Sequence, residues 1–360
     1  MEIFGTNELW ERLKNTKKPI LLYGMGNGAD KILSVLEKTG VEASGFFASD
    51  GFVRGHFFHE KKVMTYSEAC ERFGDFVVLV SFGSSLPDVM AKIKKVASEK
   101  ETYAPDVPVA GEELFNAAFF RKHEKDIDAA RSVFADQTSK KVFDEIVRYK
   151  LDGKISHFQI DSPKSDALKT LLSGGYTAYI DLGAYTGDTL AETIAFFPTV
   201  KRATALEPSP KVFKKLEKNA VFDGINIRLY NMAASSGSDV ALFADGAGRN
   251  SQLFSDGSIL AHDSKSKEVK TVAVDDICAY FGEKLLIKLD IEGSESAALD
   301  GMRRIFSEND CELIVSAYHR SEDIFALPLK LKELFPSHSL YLCKHPYIPA
   351  WDINIYVKNS

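Results

Sequence analysis

The chain alternates short apolar runs with stretches of helical periodicity. An apolar run at 20–23 ends at a glycine-rich turn and is followed by a helical pattern, and further strands are predicted at 41–48 and 76–80. A charged stretch with mostly helical spacing occupies 111–149, and from Gly175 onward strands and helices alternate again. The strands predicted in that last part are 178–182, 202–206, 227–230, 285–289, 312–317, 340–343 and 354–357.

This alternation predicts an α/β fold with two units. We expect a smaller Rossmann-like α/β domain at 1–110, a helical connector or cover at 111–154, and a larger domain at 155–360 built on a doubly wound, seven-stranded sheet. The last two strands are too close for a parallel crossover, which needs about ten residues or more, so they should form an antiparallel hairpin at one end of the sheet. A Ser-, Gly- and Asp-rich insertion between Ala233 and Val274 should form short strands and a loop over the ligand crevice.

Composition narrows the class of protein. The 360 residues are 45% hydrophobic and 27% charged, as in an ordinary soluble protein, and the net charge of −6 argues against a nucleic-acid partner. The four cysteines are far apart and lack metal-binding spacing, so they are interpreted as reduced thiols; no metal ligand is assigned, and the need for a divalent cation is left open. Because the chain shows neither a signal-peptide pattern nor a run of about 18 apolar residues, we expect no membrane insertion and a cytoplasmic location.

Two consecutive predicted strands carry a nucleoside-binding pattern. Asp181 ends the first apolar run, Gly183 and Gly187 mark the turn after it, and Glu207 ends the next run. Glycines let the backbone approach a ligand, and a carboxylate at a strand tip can accept hydrogen bonds from both ribose hydroxyls. The turn lacks the G-x-G-x-x-G spacing of dinucleotide sites, and Asp181 would repel a diphosphate but suits an ammonium or sulfonium group. The pattern therefore favours S-adenosylmethionine.

Ten residues are predicted to hold this cofactor. The segment 183–187 should follow the methionine part, Glu207 should bind the ribose, and 231–233 should bound the adenine. The full set is Asp181, Gly183, Ala184, Tyr185, Gly187, Glu207, Pro208, Asn231, Ala233 and Asp290.

The second half of the chain, from about 155 to 360, resembles the FkbM family of S-adenosylmethionine-dependent methyltransferases. The resemblance rests on motifs at 180–184 with Gly187, at 207–210, at 231–235, at 271–275 and above all at 287–293 with Glu295 and Gly301. It implies a class I methyltransferase that O-methylates sugars or other hydroxylated compounds. The chain departs from many relatives in carrying Tyr185 in place of Asn and in lacking a carboxylate before His319.

Three residues are candidates for the chemistry. Methyl transfer to an oxygen requires positioning of the acceptor and removal of its proton. Asp290 and Glu292 follow one predicted strand and His319 follows the next, so all three should face the crevice. His319 has an ordinary pKa near 6.5 and is the candidate base, while Asp290 and Glu292 are candidates to orient the acceptor, act as base or bind a cation.

A second glycine-rich turn lies in the N-terminal unit. Gly24, Gly26 and Gly28 fit the G-x-G-x-x-[GA] pattern between a strand and a helix, and Asp50 follows at the end of the next strand. The pattern predicts a nucleotide or nucleotide-sugar site, and a scaffold that binds nothing or mediates protein contacts is the open alternative. Weaker candidates to contact a polar acceptor elsewhere in the chain are Arg249, Asn250, Lys344 and His345.

The sequence supports three functional hypotheses. The first is an O-methyltransferase acting on a sugar, a glycan intermediate or another hydroxylated small molecule. The second is a nucleotide-sugar or NAD-dependent oxidoreductase that uses the N-terminal domain, although no catalytic Tyr and Lys pair stands at convincing spacing. The third is a non-catalytic binding module of a glycan assembly system, since a fold alone does not prove activity. The acceptor's identity and the oligomeric state are left open.

Overall fold

The computed structural model describes residues 8–49, 53, 55–244, 252–254 and 266–359. Asp50, Arg249 and Asn250, to which the sequence assigned ligand contacts, lie outside the described residues. No helix in the described part of the chain is both long and apolar enough to span a membrane. Cys278 and Cys311 are buried free thiols, and Cys70 and Cys343 are half-buried free thiols.

The first unit is built on a five-stranded parallel sheet whose spatial order is β5-β2-β1-β6-β7. Its central strands are buried on both faces because helices cover both sides, which explains their uninterrupted apolar sequences. The strands are β1 (Ile20–Tyr23), β2 (Gly45–Ala48), β5 (Met64–Thr65), β6 (Val77–Val80) and β7 (Glu101–Tyr103), with a separate small hairpin of β3 (Phe57–Phe58) and β4 (Lys61–Lys62). The helices are α1 (Leu9–Asn15), α2 (Asn27–Lys38), α3 (Tyr66–Phe73) and α4 (Pro87–Glu99).

Two long helices follow the first sheet. Helix α5 (Ala117–Val133) begins where the Asn116 side chain accepts hydrogen bonds from the first free backbone N–H groups. Helix α6 (Gln137–Asp152) is capped in the same way by Asp136 and ends at Gly153, which adopts the left-handed conformation. A short 3₁₀ helix (Ile155–Ile160) and helix α7 (Lys164–Thr170) lead into the second unit.

The second unit has a seven-stranded sheet in the order β10-β9-β8-β15-β16-β18-β17. All neighbours are parallel except β18, which is antiparallel to both β16 and β17. This confirms the predicted α/β class and the terminal antiparallel hairpin. The strands are β8 (Ala178–Leu182), β9 (Arg202–Leu206), β10 (Asn226–Tyr230), β15 (Lys284–Leu289), β16 (Asp310–Ser316), β17 (Ser339–Lys344) and β18 (Ile353–Lys358).

Helices and a small sheet surround this framework. The helices are α8 (Asp188–Phe196), α9 (Pro210–Asn219), α10 (Val274–Ile277), α11 (Glu295–Asp300), α12 (Arg303–Glu308) and α13 (Asp323–Leu334). Within the insertion, a four-stranded sheet has the order β11-β14-β12-β13. Its strands are β11 (Ala233–Ala234), β12 (Asp239–Ala244), β13 (Gln252–Phe254) and β14 (Ser266–Val272).

The two units meet through the loop after β6. Ser84 and Ile348, which lies in the turn between β17 and β18, exchange backbone hydrogen bonds of 2.9 and 3.0 Å. Gly83 lies directly against the same turn, because a Cβ there would be 2.6 Å from the Trp351 ring. Since the turn extends from the carboxyl edge of the larger sheet, the first unit closes over the edge where parallel sheets bind ligands.

Candidate active site

A cavity of about 630 Å³ opens at the carboxyl edge of the seven-stranded sheet. This volume lies in the range of small-molecule sites. The turns after β8, β9 and β15 form part of its wall, together with helix α8 and the turn between β17 and β18. The first unit contributes Ser85 and Val109. Seven predicted site residues line the cavity: Gly183, Tyr185, Glu207, Pro208, Ala233, Asp290 and Glu292.

Glu207 follows β9 and is only 7% exposed. Its Oε1 accepts a hydrogen bond from the Ser209 backbone N–H at 2.8 Å, and its Oε2 accepts one from Tyr185 at 3.1 Å. Burial raises the pKa of Glu207 to about 7, although these two donors favour the charged form. A carboxylate oxygen can accept more than one hydrogen bond, so both oxygens retain acceptor capacity for a ligand hydroxyl.

Asp181 does not reach the cavity surface. It is fully buried in β8, where its Oδ1 accepts a hydrogen bond from Lys288 Nζ at 3.2 Å and its Oδ2 accepts one from Thr189 Oγ1 at 2.7 Å. Lys288 Nζ lies 3.9 Å from Asp290 Oδ2 as well. Burial opposes the charge on Lys288, but Asp181 and Asp290 outweigh it and raise its pKa. Asp181 therefore acts on the cavity through Lys288, which does line it.

Gly183 is required by the packing of two strand ends. Its φ is +81°, and a Cβ there would lie 2.0 Å from the backbone carbonyl oxygen of Asp290. The sequence pattern assigned this glycine to close approach by a ligand, whereas the described contact is between the ends of β8 and β15. Any larger residue would push these two strand ends apart.

The remaining predicted cofactor residues shape the turns. Asn231 donates from Nδ2 to the carbonyl oxygens of Glu207 and Pro208, at 2.8 and 3.0 Å, and so fixes the turn after β9. Gly187 precedes α8 with a left-handed φ of 89°, and Ala184 is fully buried. Asn231, Gly187 and Ala184 are not among the residues that line the cavity.

Asp290 and Glu292 follow β15 and line the cavity. The Tyr318 hydroxyl donates to Asp290 Oδ1 at 3.2 Å. Burial opposes ionisation of Asp290, but the charges of Lys288 and His319 outweigh it and hold its pKa below the ordinary value. Burial raises the pKa of Glu292 to about 8, and the neighbouring Asp290 carboxylate adds to that rise. The two carboxyl groups therefore differ in protonation at neutral pH.

His319 lies directly behind these carboxylates and is fully buried. Its Nε2 is 3.4 Å from Asp290 Oδ1 and 3.7 Å from Glu292 Oε2, and its Nδ1 is 2.9 Å from Glu295 Oε1. Neither ring nitrogen makes a well-aligned hydrogen bond, so these contacts are ion pairs. Burial opposes the charge on the ring, yet the three carboxylates outweigh it and raise the pKa of His319 to about 10. A protonated imidazole has no lone pair with which to accept a proton.

A buried cluster behind the site was not anticipated from the sequence. Glu295, His319 and Asp323 bring potential metal-ligand atoms within 4.8 Å of one another. The Asp323 carboxylate already accepts a hydrogen bond from the Arg320 backbone N–H at 2.8 Å. The imidazolium of His319 supplies positive charge to this cluster.

Backbone strain is concentrated at the cavity. Among the described residues, five non-glycine residues have a left-handed φ: His59, Glu60, Tyr185, Glu292 and Asp352. The last three, at 48°, 56° and 60°, line the cavity. Such conformations cost of order 1–3 kcal/mol each and cluster at ligand sites, so this strain supports a binding function for the cavity.

The glycine-rich turn of the first unit is packed by its own chain. A Cβ at Gly28 would lie 2.2 Å from the Ser81 carbonyl oxygen, and one at Gly24 would lie 2.6 Å from the Phe82 ring. Gly26 has open space around it, and none of the three glycines lines the cavity. A nucleotide at this turn stays a prediction.

The two weaker acceptor candidates, Lys344 and His345, are buried beside the β17–β18 turn. Lys344 Nζ pairs with Asp161 at 2.7 Å, and His345 contacts the Ser162 carbonyl oxygen and the Tyr356 hydroxyl, each at 2.8 Å. Neither residue lines the cavity.

Sequence reasoning missed several lining residues. Ser85, Val109, Tyr347, Trp351 and Asp352 reach the cavity from three loops that carry no recognised motif. Lys288 had a usable signal, because a single lysine inside an otherwise apolar strand needs a buried partner.

Comparison with known proteins bears on this site. Residues 181–349 match the family model described as the methyltransferase FkbM domain. The whole structure is similar to that of a methyltransferase FkbM from Methylobacillus flagellatus KT, with a TM-score of 0.70 and 17% sequence identity over 94% of this chain and 90% of that chain. At this identity the likeness shows the fold, and it spans both units. No curated protein matches the chain.

Two other structures are similar over about half of the chain. One is a putative rRNA-methylase from Clostridium thermocellum, with a TM-score of 0.31 and 10% identity over 54% of this chain and 93% of that chain. The other is a precorrin-6y C5,15-methyltransferase from Geobacter metallireducens GS-15, with a TM-score of 0.31 and 13% identity over 54% and 87%. These scores are too low to carry an argument.

Because residues 181–349 match the family model, this segment is a domain of the FkbM methyltransferase family, and the chain is an S-adenosylmethionine-dependent methyltransferase.

Proposed function

We propose that this methyltransferase transfers the methyl group to a hydroxyl of a sugar, a glycan intermediate or another hydroxylated small molecule. The observation that carries the proposal is the shared cavity: Glu207 lines it at the end of β9, and the carboxyl groups of Asp290 and Glu292 line it after β15. The carboxylate proposed to bind the nucleoside and two candidate proton acceptors thus line the same cavity.

The polar groups that line the cavity suit S-adenosylmethionine. Glu207 would hold the ribose, the turn at 183–187 would lie along the methionine part, and Pro208 and Ala233 would bound the adenine. When bound, the cofactor supplies an electrophilic methyl group, which leaves its sulfur as the acceptor oxygen bonds to it. The carboxylates of the lining favour a ligand that carries sulfonium and ammonium charges.

Glu292 is the base in this proposal. Its pKa of about 8 lies close to neutral pH, where a general base is most effective, and its side chain is 26% exposed toward the cavity. In its ionised form it accepts the hydroxyl proton of the acceptor. Asp290, whose pKa is held low, stays ionised and accepts hydrogen bonds that orient the acceptor.

His319 positions these carboxylates. Its imidazolium lies within 3.4 Å of Asp290 and 3.7 Å of Glu292, and its contact with Glu295 fixes the ring from the other side. The charge opposes a further rise in the pKa of Glu292. His319 thereby influences proton transfer without accepting the proton.

Calorimetry with S-adenosylmethionine and S-adenosylhomocysteine tests the cofactor assignment. We expect saturable binding of both and a loss of about 1–3 kcal/mol in Glu207→Ala, because the ribose hydroxyls lose their charged acceptor. Asp223→Asn, a change on the loop that follows α9, is the control and should bind normally. Failure of the wild-type protein to bind either compound would overturn the proposal.

A further inference from the structure

One half of the cavity differs in composition from the half that Glu207 lines. In the strand order, β9 and the β17–β18 hairpin lie on opposite sides of β15, so their turns reach the cavity from opposite sides. The hairpin turn supplies Tyr347, Trp351 and Asp352, and the first unit supplies Ser85 beside them. The Tyr347 and Trp351 rings lie 5.8 Å apart between centroids, at an interplanar angle of 32°.

The first unit holds this aromatic turn in place. The backbone bridge between Ser84 and Ile348 ties the loop after β6 to the turn. A Cβ at Gly83 would lie 2.6 Å from the Trp351 ring and 2.7 Å from the Tyr347 ring. The rings therefore pack on the glycine backbone, and the two units jointly build this half of the cavity.

Asp352 is held beside the rings in a defined orientation. Its φ of 60° is rare for a residue with a side chain, and its Oδ1 accepts a hydrogen bond from Asn354 Nδ2 at 2.8 Å. Asp352 and the two rings line the same cavity, and a carboxylate and aromatic rings both attract an ammonium group.

The charge of the lining points the same way. Six carboxyl groups line the cavity, from Asp188, Glu192, Glu207, Asp290, Glu292 and Asp352. The lining also contains Lys164 and Lys288, and both are ion-paired: Lys164 with Glu192 at 2.8 Å, and Lys288 with Asp181 at 3.2 Å. Within the described lining, both lysines thus already have a carboxylate partner, and carboxyl groups outnumber them.

Lys31 of the first unit lies outside this lining. Its Nζ donates to the carbonyl oxygens of Pro108 and Val109, at 2.9 and 2.7 Å. Two of its three N–H donors are thus directed to the backbone of the first unit, and its charge interacts with the Glu292 carboxyl group.

We infer that the half of the cavity formed by Ser85, Tyr347, Trp351 and Asp352 binds the methyl acceptor, and that the acceptor is a hydroxylated compound bearing an amine. This inference rests on the proposed function. The ammonium group lies against the two rings and pairs with the Asp352 carboxylate, while the hydroxyl group lies at Glu292. A phosphorylated acceptor would meet like charge, and a neutral one would make no use of the Asp352 carboxylate as a counter-charge.

Turnover on charge-sorted acceptors tests this inference. A polar small-molecule extract of the source cells is separated by ion exchange into cationic, neutral and anionic pools, and S-adenosylhomocysteine formation is measured with each. We expect turnover with the cationic pool. Greater turnover with the neutral or the anionic pool would overturn the inference while leaving the methyltransferase proposal intact. If the protein binds S-adenosylmethionine but no pool gives turnover, the proposed function and this inference both fall.

A matched variant tests the residue assignment. Asp352→Asn keeps the shape and tolerates the left-handed conformation, so the fold should persist. We expect kcat/KM for the methylated cationic acceptor to fall about tenfold or more, with an unchanged Kd for S-adenosylmethionine. An unchanged kcat/KM would remove Asp352 from acceptor recognition, and an equal loss of cofactor affinity would place it in the cofactor site instead.

Discussion

Glu207 should make cofactor affinity depend on pH. Its pKa of about 7 in the free protein is a consequence of burial. Ribose hydroxyls donate hydrogen bonds, so they favour the ionised carboxylate and lower its pKa in the complex. Below pH 7 the carboxyl group must lose a proton before it can accept both hydroxyls, and affinity is lost as the pH falls through the pKa of the free protein. The Kd should therefore decrease as the pH rises.

The magnitude follows from the fraction ionised. With a pKa of about 7, about one tenth of the carboxyl groups are ionised at pH 6 and about nine tenths at pH 8, so Kd should fall about tenfold between them. The ligand for this assay is 5′-methylthioadenosine, which keeps the ribose but has no amino-acid part to titrate. Calorimetry in two buffers with different ionisation enthalpies counts the protons released on binding.

Glu207→Gln is the decisive variant because glutamine does not titrate. Its amide also faces a backbone N–H of Tyr185 or Ser209, so affinity at pH 8 should fall by about 1–3 kcal/mol. The pH dependence and the proton release should both disappear. Glu192→Gln, a lining carboxylate paired with Lys164, is the control and should keep the wild-type slope. The same slope in Glu207→Gln as in the wild type would show that Glu207 is not the group that titrates.

Three further predictions concern charged groups that line the cavity or lie behind it. Because Glu292 must be ionised to accept a proton, kcat should rise as the pH passes through about 8. Glu292→Gln should lower kcat by about 10²–10⁴-fold at unchanged cofactor affinity. A rate of S-adenosylhomocysteine release that does not change with pH in the wild type would contradict this. His319→Gln removes the imidazolium, so the midpoint of that pH profile should move to higher pH. The free energy of unfolding, measured with urea, should fall by about 3–5 kcal/mol. An unmoved midpoint would exclude the positioning role. Lys288→Met should lower the free energy of unfolding by a similar amount, because it leaves the Asp181 carboxylate without its cation. The double variant with Asp181→Asn should recover part of that loss. Purely additive losses would show that the two residues are not coupled.

The fold could be predicted because its signals are local. Most strands of the larger sheet contain a short apolar run, and the close spacing of β17 and β18 excludes a parallel connection. The strand order places the carboxyl ends of β8, β9 and β15 side by side, so a motif at each end was enough to place Glu207, Asp290 and Glu292 on one cavity.

The rest of the site depends on tertiary packing that no motif encodes. The aromatic turn at 347–352 meets the cavity because the first unit folds against it through Gly83 and Ser84, a contact between distant parts of the chain. The protonation state of His319 depends on the burial of Glu295, and a carboxylate at the start of α11 would ordinarily be expected at the surface. The same holds for Asp181, whose partner Lys288 is readable only as an anomaly within an apolar strand.

The crystal structure of the complex with S-adenosylhomocysteine is the most direct test of the proposed cofactor site. We expect both ribose hydroxyls on the carboxylate of Glu207, the sulfur atom toward Asp290 and Glu292, and open space between the sulfur and Trp351 for the acceptor. A nucleoside bound at the turn that contains Gly24 and Gly26, or one in the cavity without contact to Glu207, would contradict it.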